Sequence, residues 1–335
     1  MRASESMAKS AHDVTLISAK GSSAAGQRTP FKLNVIETIE PSWAGNLAEE
    51  AHYLMYKELL EREYGDGDGI VWDNTWHCFS YLSAKKFPNM KIIHTHHGTV
   101  EWQIVPHRQI RFPRYIGLSR LHAKYMSSVL KIPVRYVHHG IYLPPVEETR
   151  SNKNSDYILS VNRIIREKGI EDSIDVAVRT GNRIIIAGDD IHVPDLSYVK
   201  MIREKCQNTN GLAEYLGFVD NKTKTELIKN CKALIACPKP TWIEAFGLYA
   251  LEGNVYGKPI LALANGGLND IIVNQTNGFL AKTPKELQGY IDRAYQCSSD
   301  SCRQRVENLF TVEKMSKNYL EIFENVIDDD PSFRW

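Results

Sequence analysis

The sequence predicts an α/β protein of two domains, each built on a parallel β-sheet. Short β-rich runs alternate with helical patterns along the whole chain, which is typical of βαβ units whose sheets are covered on both faces. The length of 335 residues exceeds what one hydrophobic core usually supports, since a domain holds roughly 100–200 residues. A polar, proline-led segment without periodicity, residues 144–155, predicts the linker between the domains.

The first half contains six β-rich runs and two helical patterns. The runs predict strands at residues 12–18, 32–38, 69–74, 91–96, 114–119 and 134–139. One helix is predicted over about 44–63, ending before Gly65. Its predicted apolar face consists of Leu47, Ala51, Leu54, Met55 and Leu59. A second helix, near 120–130, links the last two strands.

After the linker the alternation of strands and helices restarts. Strands are predicted at 157–162, 183–188, 213–218, 233–238 and 259–264, and helices near 170–180, 195–206, 222–231 and 248–256. A final amphipathic helix is predicted from the helical spacing of Val312, Met315, Tyr319, Ile322 and Phe323. One side of that helix must therefore be buried.

The composition excludes several classes of protein. Lys plus Arg number 41 against 40 Asp plus Glu, a net charge of +1, which provides no global field for nucleic acid or anionic lipid. Six dispersed cysteines without a C-x-x-C pair argue against a disulfide framework or a zinc knuckle. Neither a signal peptide nor a membrane-spanning run is recognisable, so a folded cytoplasmic protein is expected.

Three features of the second half indicate a ligand site. Arg163 and Lys168 lie on the loop that follows the predicted strand 157–162, where an open α/β sheet binds its ligands. Two cations there suit a diphosphate, although a solvated basic loop has the same composition. Gly266-Gly267 also follows a strand, and permits close approach of the backbone to a ligand or simply forms a turn.

The third feature is a pair of glutamates at a helix start. Glu244 precedes the predicted helix and Glu252 lies about two turns inside it, so they are too far apart for an acid/base dyad. They can instead hold different parts of one extended ligand, or be ordinary surface residues. The helix N-terminus at Gly247-Leu248 favours a phosphate group.

Three other patterns resemble metal sites. His94, His96 and His97 occupy three of four positions, but no Cys or acidic partner stands near them in the sequence, so zinc is disfavoured. Gly65–Gly69 contains an Asp-x-Asp, which the flanking glycines explain as a helix-to-strand turn. Asp328–Asp330 is best explained as a solvated tail.

Six motifs in fixed order carry a resemblance to a known family. They are VNRIIREKG, IIIAG, EYLGFVDNKTKTELIKNCKALIACPKP, IEAFGLYALEGNVYGKPILAL, NGGLNDII and TNGFL. Together they resemble glycosyltransferase family 4, the retaining nucleotide-sugar enzymes of GT-B fold. The resemblance implies two Rossmann-like domains facing a cleft, at residues 1–145 and 155–310, with residues 311–327 packing back on the first.

The resemblance also implies a role for each matching residue. Arg163 and Lys168 would hold the donor diphosphate, Glu244 the hydroxyls of the transferred sugar, and Glu252 the ribose hydroxyls. The backbone would contribute the remaining donor contacts, near the base at Phe218 and Val219, and near sugar and phosphate at Phe246, Gly247, Leu248, Gly266 and Gly267.

In the first half, KIIHTHHGT resembles the strand of this family that ends in Thr-x-His-Gly, which would place His97 near the acceptor.

The chain departs from the family pattern at several positions: Asn162 stands where the family usually has Gly, Ala245 where it has Pro, Gly or Ser, His139 where it has Asn, and Tyr142 where it has Asp. The N-terminus departs most from the family pattern. By the resemblance, MAKSAHDVTLI would fall within and after the long first helix of the family, so we expect its first strand and glycine-rich loop to be truncated or rebuilt in this sequence.

The function implied by the resemblance is retaining transfer of a sugar from a UDP-, GDP- or ADP-sugar to a glycan, lipid or small-molecule acceptor. No metal or other cofactor is expected. A sugar-nucleotide-binding subunit without turnover and a nucleotide-sugar 2-epimerase of the same fold remain alternatives. Contact with the cytoplasmic face of a membrane, the acceptor and the oligomeric state stay open.

Overall fold

The computed structural model describes residues 2–9, 12–18, 33–38, 46–99, 114–149 and 156–328. The chain divides into two compact units. Unit 1 consists of Met1–Gly140 together with Val312–Trp335, and unit 2 consists of Ile141–Thr311. Both units contain parallel strands joined through helices, so the predicted α/β class is confirmed.

The described residues of unit 1 form two parallel sheets. Its elements up to residue 140 are α1 (Arg2–Lys9), β1 (Val14–Ser18), β2 (Leu33–Glu37), α2 (Asn46–Tyr64), β3 (Ile70–Asp73), α3 (Tyr81–Lys86), β4 (Lys91–Thr95), β5 (Arg114–Gly117), α4 (Arg120–Leu130) and β6 (Arg135–Tyr136). Strands β1 and β2 form one sheet, and β3, β4, β5 and β6 form the other in that order. Strand β6 is much shorter than the predicted 134–139.

The apolar face predicted for α2 is wrong at Ala51, Leu54 and Met55, whereas Leu59 is half-buried and the side chain of Leu47 lies outside the described part of the chain. Leu54 and Met55 are both 60% exposed, and Ala51 is exposed as well. The buried side of α2 consists instead of Tyr53, Tyr56 and Leu60, which join the core. Tyrosines follow the helical spacing as well as the aliphatic residues do, and their larger apolar area decides which face is buried.

The turn predicted at Gly65–Gly69 is confirmed, since these residues connect α2 to β3. Gly67 has a φ of +88°, and a Cβ there would lie 2.5 Å from the Asn89 carbonyl oxygen. Asp66 and Asp68 are exposed in this turn. Backbone geometry therefore accounts for the glycines of this segment.

Unit 2 is built on a single six-stranded sheet. Its elements are α5 (Val146–Thr149), β7 (Tyr157–Val161), α6 (Ile170–Arg179), β8 (Arg183–Ala187), α7 (Leu196–Gln207), β9 (Ala213–Gly217), α8 (Asn221–Asn230), β10 (Ala233–Ala236), α9 (Leu248–Val255), β11 (Ile260–Leu263), α10 (Leu268–Ile271), β12 (Gly278–Ala281), α11 (Pro284–Ile291) and α12 (Ser299–Leu309). Short helix α5 occupies part of the predicted linker, whose residues 150–155 lie outside the described part of the chain.

The sheet of unit 2 has the order β12-β11-β10-β7-β8-β9, and all its pairs are parallel. Strands β8, β10 and β11 are runs of Ile, Leu and Ala whose residues are almost all buried. Continuous apolar runs are expected for strands covered on both faces. Four helices of this unit begin at a side-chain cap that accepts a backbone N–H: Asp195, Asp220, Thr283 and Ser298.

The last helix, α13 (Val312–Ile327), belongs to unit 1. Tyr319 and Phe323 pack on Trp72, with ring centroids 4.4 and 5.6 Å apart. The Tyr319 hydroxyl lies 3.1 Å from the Thr95 hydroxyl at the end of β4. The helix therefore covers the sheet of the unit that it does not follow in sequence. Of the predicted acidic tail, Asp329 and Asp330 lie outside the described residues.

Replacing Tyr319 by Ala should lower the free energy of unfolding of unit 1 by about 3 kcal/mol, because a buried aromatic ring is lost from the core. Tyr295→Ala is the matched control, since Tyr295 is 83% exposed and its loss should cost less than about 0.5 kcal/mol. Urea denaturation followed by circular dichroism measures both. Equal stability of the two variants would contradict this packing of α13.

Candidate active site

The candidate site lies where the order of strands in unit 2 reverses. Strand β7 has β8, the next strand along the chain, on one side and β10 on the other. In open α/β sheets the loops beyond such a pair diverge and leave a crevice for a ligand. The loop after β7 carries Arg163 and Lys168, and the loop after β10 carries Glu244. The fold thus places predicted residues from two distant motifs on adjoining loops.

A buried ion pair joins these two loops. Lys168 Nζ lies 2.6 Å from Glu244 Oε2, and the side chains are only 11% and 7% exposed. The ammonium group also lies 4.5 Å from the centroid of the Trp242 ring and 5.8 Å from that of Tyr249. Aromatic rings favour a cation over their faces. The pair therefore sits in a water-poor environment where charge interactions are strong.

Asn265 fixes the loop that carries Glu244. Its side-chain oxygen accepts the Glu244 backbone N–H at 2.8 Å. Its amide nitrogen donates to the carbonyls of Lys239 and Trp242 at 3.1 and 2.9 Å. Only an amide side chain both donates and accepts in this way. Asn265 stands in the motif NGGLNDII, where only the two glycines after it were predicted to contact a ligand, and its contacts with the glutamate loop are visible only in the structure.

Gly266 and Gly267 serve the same loop. A Cβ at Gly266 would lie 1.9 Å from the Glu244 carbonyl oxygen, and one at Gly267 would lie 2.4 Å from the Phe246 backbone. The Gly267 N–H donates to the Glu244 carbonyl at 2.8 Å. Glycine is therefore required at both positions because they pack directly against the backbone of the loop that carries Glu244.

Helix α9 begins directly after this loop. Gly247 stands at its N-terminus with a φ of +97°, a conformation that favours glycine. The Phe246 ring is buried, 6.0 Å from the ring of Phe310, while Leu248 is half-buried. The first N–H groups of a helix lack partners within the helix and attract anions. They begin three residues after Glu244, next to the ion pair.

The remaining predicted donor residues of unit 2 are more exposed. Arg163 is exposed on the β7 loop, and Phe218, just after β9, is 59% exposed, while Val219 is half-buried. Glu252 lies inside α9 and is paired with Lys224 of α8, with Nζ 2.9 Å from Oε1. Lys224 was not predicted as a site residue, because no sequence motif links two residues on different helices.

The histidines of unit 1 do not form one cluster of equivalent side chains. His97 is exposed; its Nε2 lies 3.1 Å from Asn74 Oδ1, and its ring stacks on His139 at 5.4 Å. His94 and His96 are buried, with Nε2 of the first 3.5 Å from Nδ1 of the second. Burial lowers the pKa of His96 to about 3, so its ring is neutral near pH 7.

An acidic partner does stand beside this segment, contrary to the expectation from the sequence. The carboxylate of Asp73, at the end of β3, lies 3.4 Å from His94 Nδ1. Burial opposes ionisation of Asp73, but His94 and hydrogen bonds from Ser80 and Thr75 outweigh it and lower its pKa. Among the described residues, no group of three or more His, Cys, Asp or Glu could hold a metal ion.

Comparison with known proteins shows what unit 2 is similar to. Residues 146–309 match the family Glycosyl transferases group 1. A 145-residue stretch is 32% identical to an uncharacterized glycosyltransferase of Methanocaldococcus jannaschii, covering 41% of this chain and 35% of that protein. The α-1,3/1,6-mannosyltransferase of Schizosaccharomyces pombe is 25% identical over 59% of this chain and 49% of its own length. The chain thus spans about a third to a half of these two relatives.

Solved structures resemble the chain over nearly its whole length. A glycosyltransferase from Rickettsia africae has a TM-score of 0.74 at 18% identity, covering 98% of this chain and 94% of that one. The Anabaena protein HepE, in complex with UDP and glucose, has a TM-score of 0.72 at 14% identity, covering 96% and 94%. The fold is therefore GT-B, with two Rossmann-like domains. The chain thus has the GT-B fold, and its residues 146–309 are similar to the Glycosyl transferases group 1 family.

Two further findings concern membrane-spanning helices and the cysteines. Among the described residues, none of the helices combines the length and apolar character needed to cross a bilayer. All six cysteines are buried free thiols.

Replacing one partner of the buried ion pair should destabilise the protein more than replacing both partners. Lys168→Met and Glu244→Leu should each lower the free energy of unfolding by about 3 kcal/mol, because each leaves a buried charge unpaired. The double variant should lose clearly less than the sum, as urea denaturation would show. The control is the same cycle on the exposed pair Lys200–Glu204, 3.8 Å apart, where the coupling should be below about 0.5 kcal/mol. Additive losses at Lys168 and Glu244 would contradict a coupled buried pair.

Proposed function

We propose that this protein transfers a sugar from a nucleoside-diphosphate sugar to a glycan, lipid or small-molecule acceptor. The observation that carries the proposal is the largely buried Lys168–Glu244 ion pair, whose ammonium group lies near the rings of Trp242 and Tyr249, next to the N-terminus of α9. The site offers a cation and helix N–H groups to an anion, and a carboxylate to hydroxyl groups. A sugar linked to a diphosphate carries both kinds of group.

Each residue of the site then has a defined task in the reaction. Lys168, Arg163 and the N–H groups of α9 would bind the diphosphate and stabilise the negative charge that grows on it as the glycosidic bond breaks. The carboxylate of Glu244 would accept hydrogen bonds from hydroxyls of the transferred sugar. Because Lys168 holds Glu244 in place, the same contact sets the distance between sugar and phosphate sites.

The remainder of the donor site would lie further along unit 2. Glu252 would bind the ribose hydroxyls, and the backbone at Phe218 and Val219 would meet the base. UDP-, GDP- and ADP-sugars are the candidate donors. The Anabaena structure contains UDP, which supports testing UDP-sugars first. On the acceptor side, we propose that His97 of unit 1, held by Asn74, contacts the acceptor.

We also propose that the reaction needs no metal and takes place in the cytoplasm. The two cations and the helix N-terminus can balance the diphosphate charge, as a divalent ion does elsewhere. Six free cysteines are what a reducing compartment favours.

Arg163→Ala should reduce kcat roughly a hundredfold with a smaller effect on KM, because the lost charge interaction strengthens in the transition state. Transfer of a radiolabelled sugar from UDP-glucose, and then from other donors, measures this in the presence of EDTA. Arg166→Ala is the matched control on the same loop, since Arg166 pairs with Asp195, and it should stay within about twofold of wild type.

Three outcomes of this assay would contradict parts of the proposal. A wild-type rate in Arg163→Ala would remove Arg163 from the mechanism. A strict requirement for added Mg²⁺ would overturn the metal-free site. Tight binding of every donor without transfer or hydrolysis would identify a binding subunit instead of an enzyme.

We infer from the family 4 resemblance that the product retains the anomeric configuration of the donor. In unit 2, Glu244 is held by Lys168, and the resemblance assigns it to sugar hydroxyls, so we expect no covalent glycosyl-enzyme. Proton NMR of the fresh product should show an α-linkage from an α-linked donor. A β-linked product would show inversion and exclude this part of the proposal.

A further inference from the structure

Asp190 lies in the loop after β8, in a part of unit 2 that the proposed reaction does not yet use. Its carboxylate is 7% exposed and accepts three hydrogen bonds from different segments. Arg203 of α7 donates at 2.7 Å, the Tyr215 hydroxyl of β9 at 2.8 Å, and the Phe218 backbone N–H at 3.2 Å. One buried side chain thus ties a helix, a strand and the loop after that strand together.

Gly217 shows how closely this carboxylate packs on the chain. Gly217 has a φ of +68°, and a Cβ there would lie 2.7 Å from Asp190 Oδ2. On the other side, the Gly217 carbonyl accepts the Gly188 N–H at 2.8 Å. The turn from β9 into the Phe218–Val219 segment is therefore held by bonds to the β8 loop.

The charge of Asp190 is what allows it to hold three donors. Burial opposes its ionisation, but hydrogen bonds from Tyr215, Arg203 and Phe218 outweigh burial and lower the pKa of the carboxyl. An ionised carboxylate only accepts hydrogen bonds. An asparagine of the same shape would turn an NH₂ group toward one of these donors and lose that bond.

We propose that Asp190 is a positioning residue for the nucleobase of the donor, through the backbone of Phe218 and Val219. This inference rests on the proposed function, which places the base at that backbone. The two bonds that fix the turn engage the Gly217 carbonyl and the Phe218 N–H. The base would then meet the next groups along the chain, the Phe218 carbonyl and the Val219 N–H.

The role of Asp190 is limited to one end of the donor. The diphosphate site is built from the loops after β7 and β10 and from α9, whereas Asp190 connects the loops after β8 and β9. A substitution at Asp190 should therefore weaken the binding of ligands that carry a base. It should not change the binding of ligands that consist of phosphate alone. A purely structural role would weaken both.

The test compares UDP with inorganic pyrophosphate by isothermal titration calorimetry on the full chain. Asp190→Asn should bind UDP about tenfold more weakly than wild type, because the loosened Phe218–Val219 backbone must be ordered again when the base binds, and that ordering lowers the affinity. Pyrophosphate affinity should change by less than about twofold, and in a transfer assay KM for the donor should rise while kcat is kept.

Asp175→Asn is the matched control. Asp175 also pairs with a cation of α7, with Lys205 Nζ 2.6 Å from its Oδ1, but it lies on α6, and both affinities should stay at wild-type values. If Asp190→Asn does not fold, Tyr215→Phe removes one of the three donors with less disturbance. This variant should bind UDP about threefold more weakly than wild type and bind pyrophosphate with unchanged affinity.

The outcomes separate this inference from the function on which it rests. Wild-type protein that binds none of UDP, GDP, ADP and pyrophosphate would overturn the proposed function; if GDP or ADP binds and UDP does not, that nucleotide replaces UDP in the comparison. Wild-type protein that binds UDP, with Asp190→Asn equally tight, would overturn the role of Asp190 alone. Equal losses for UDP and pyrophosphate would show that Asp190 stabilises the domain without positioning the base, and would also overturn it.

Discussion

A buried ion pair stabilises a protein only when close geometry and further hydrogen bonds offset the loss of hydration. The Lys168–Glu244 pair meets this condition with a 2.6 Å contact and aromatic rings around the ammonium group. Its carboxylate side depends on Asn265, which holds the glutamate loop through three hydrogen bonds. Gly266 and Gly267 let the loop after β11 pack closely against the backbone of the glutamate loop. The conformations of the loops after β7, β10 and β11 therefore depend on one another through this ion pair and these hydrogen bonds.

In unit 2, strands β7 to β11 and helices α6 to α9 were predicted from the sequence to within a few residues, because β-rich runs alternate there with helical patterns. Strand β12 and helices α10, α11 and α12 were not predicted; β12 and α10 have only four residues each, too few to show a period. The strand predicted at 183–188, for example, is Arg183–Ala187. Helix α13 was also predictable, since Val312 and Tyr319 follow a helical period. The face of α2 was not, because tyrosines supply its buried side and the aliphatic residues Leu54 and Met55 are exposed.

Most of the individual site residues were recognisable from motifs, but their partners were not. Lys168 and Glu244 lie 76 residues apart in sequence, and Asn265 lies 21 residues from the backbone N–H that it binds. The Lys224–Glu252 and Asp190–Phe218 contacts each join positions 28 residues apart. Only the order of strands brings such positions together, and no local pattern encodes it. Sequence motifs thus predict which residues contact a ligand, whereas the structure shows which neighbours hold those residues in place.

The most direct test of the account is a crystal structure of the protein with UDP. We expect the diphosphate at the N-terminus of α9, with a phosphate oxygen within hydrogen-bond distance of Lys168 Nζ and the Glu244 carboxylate facing the position of the sugar. A diphosphate bound elsewhere on the chain, with the Lys168–Glu244 pair unchanged and out of contact with the nucleotide, would contradict the central claim that this pair forms the donor site.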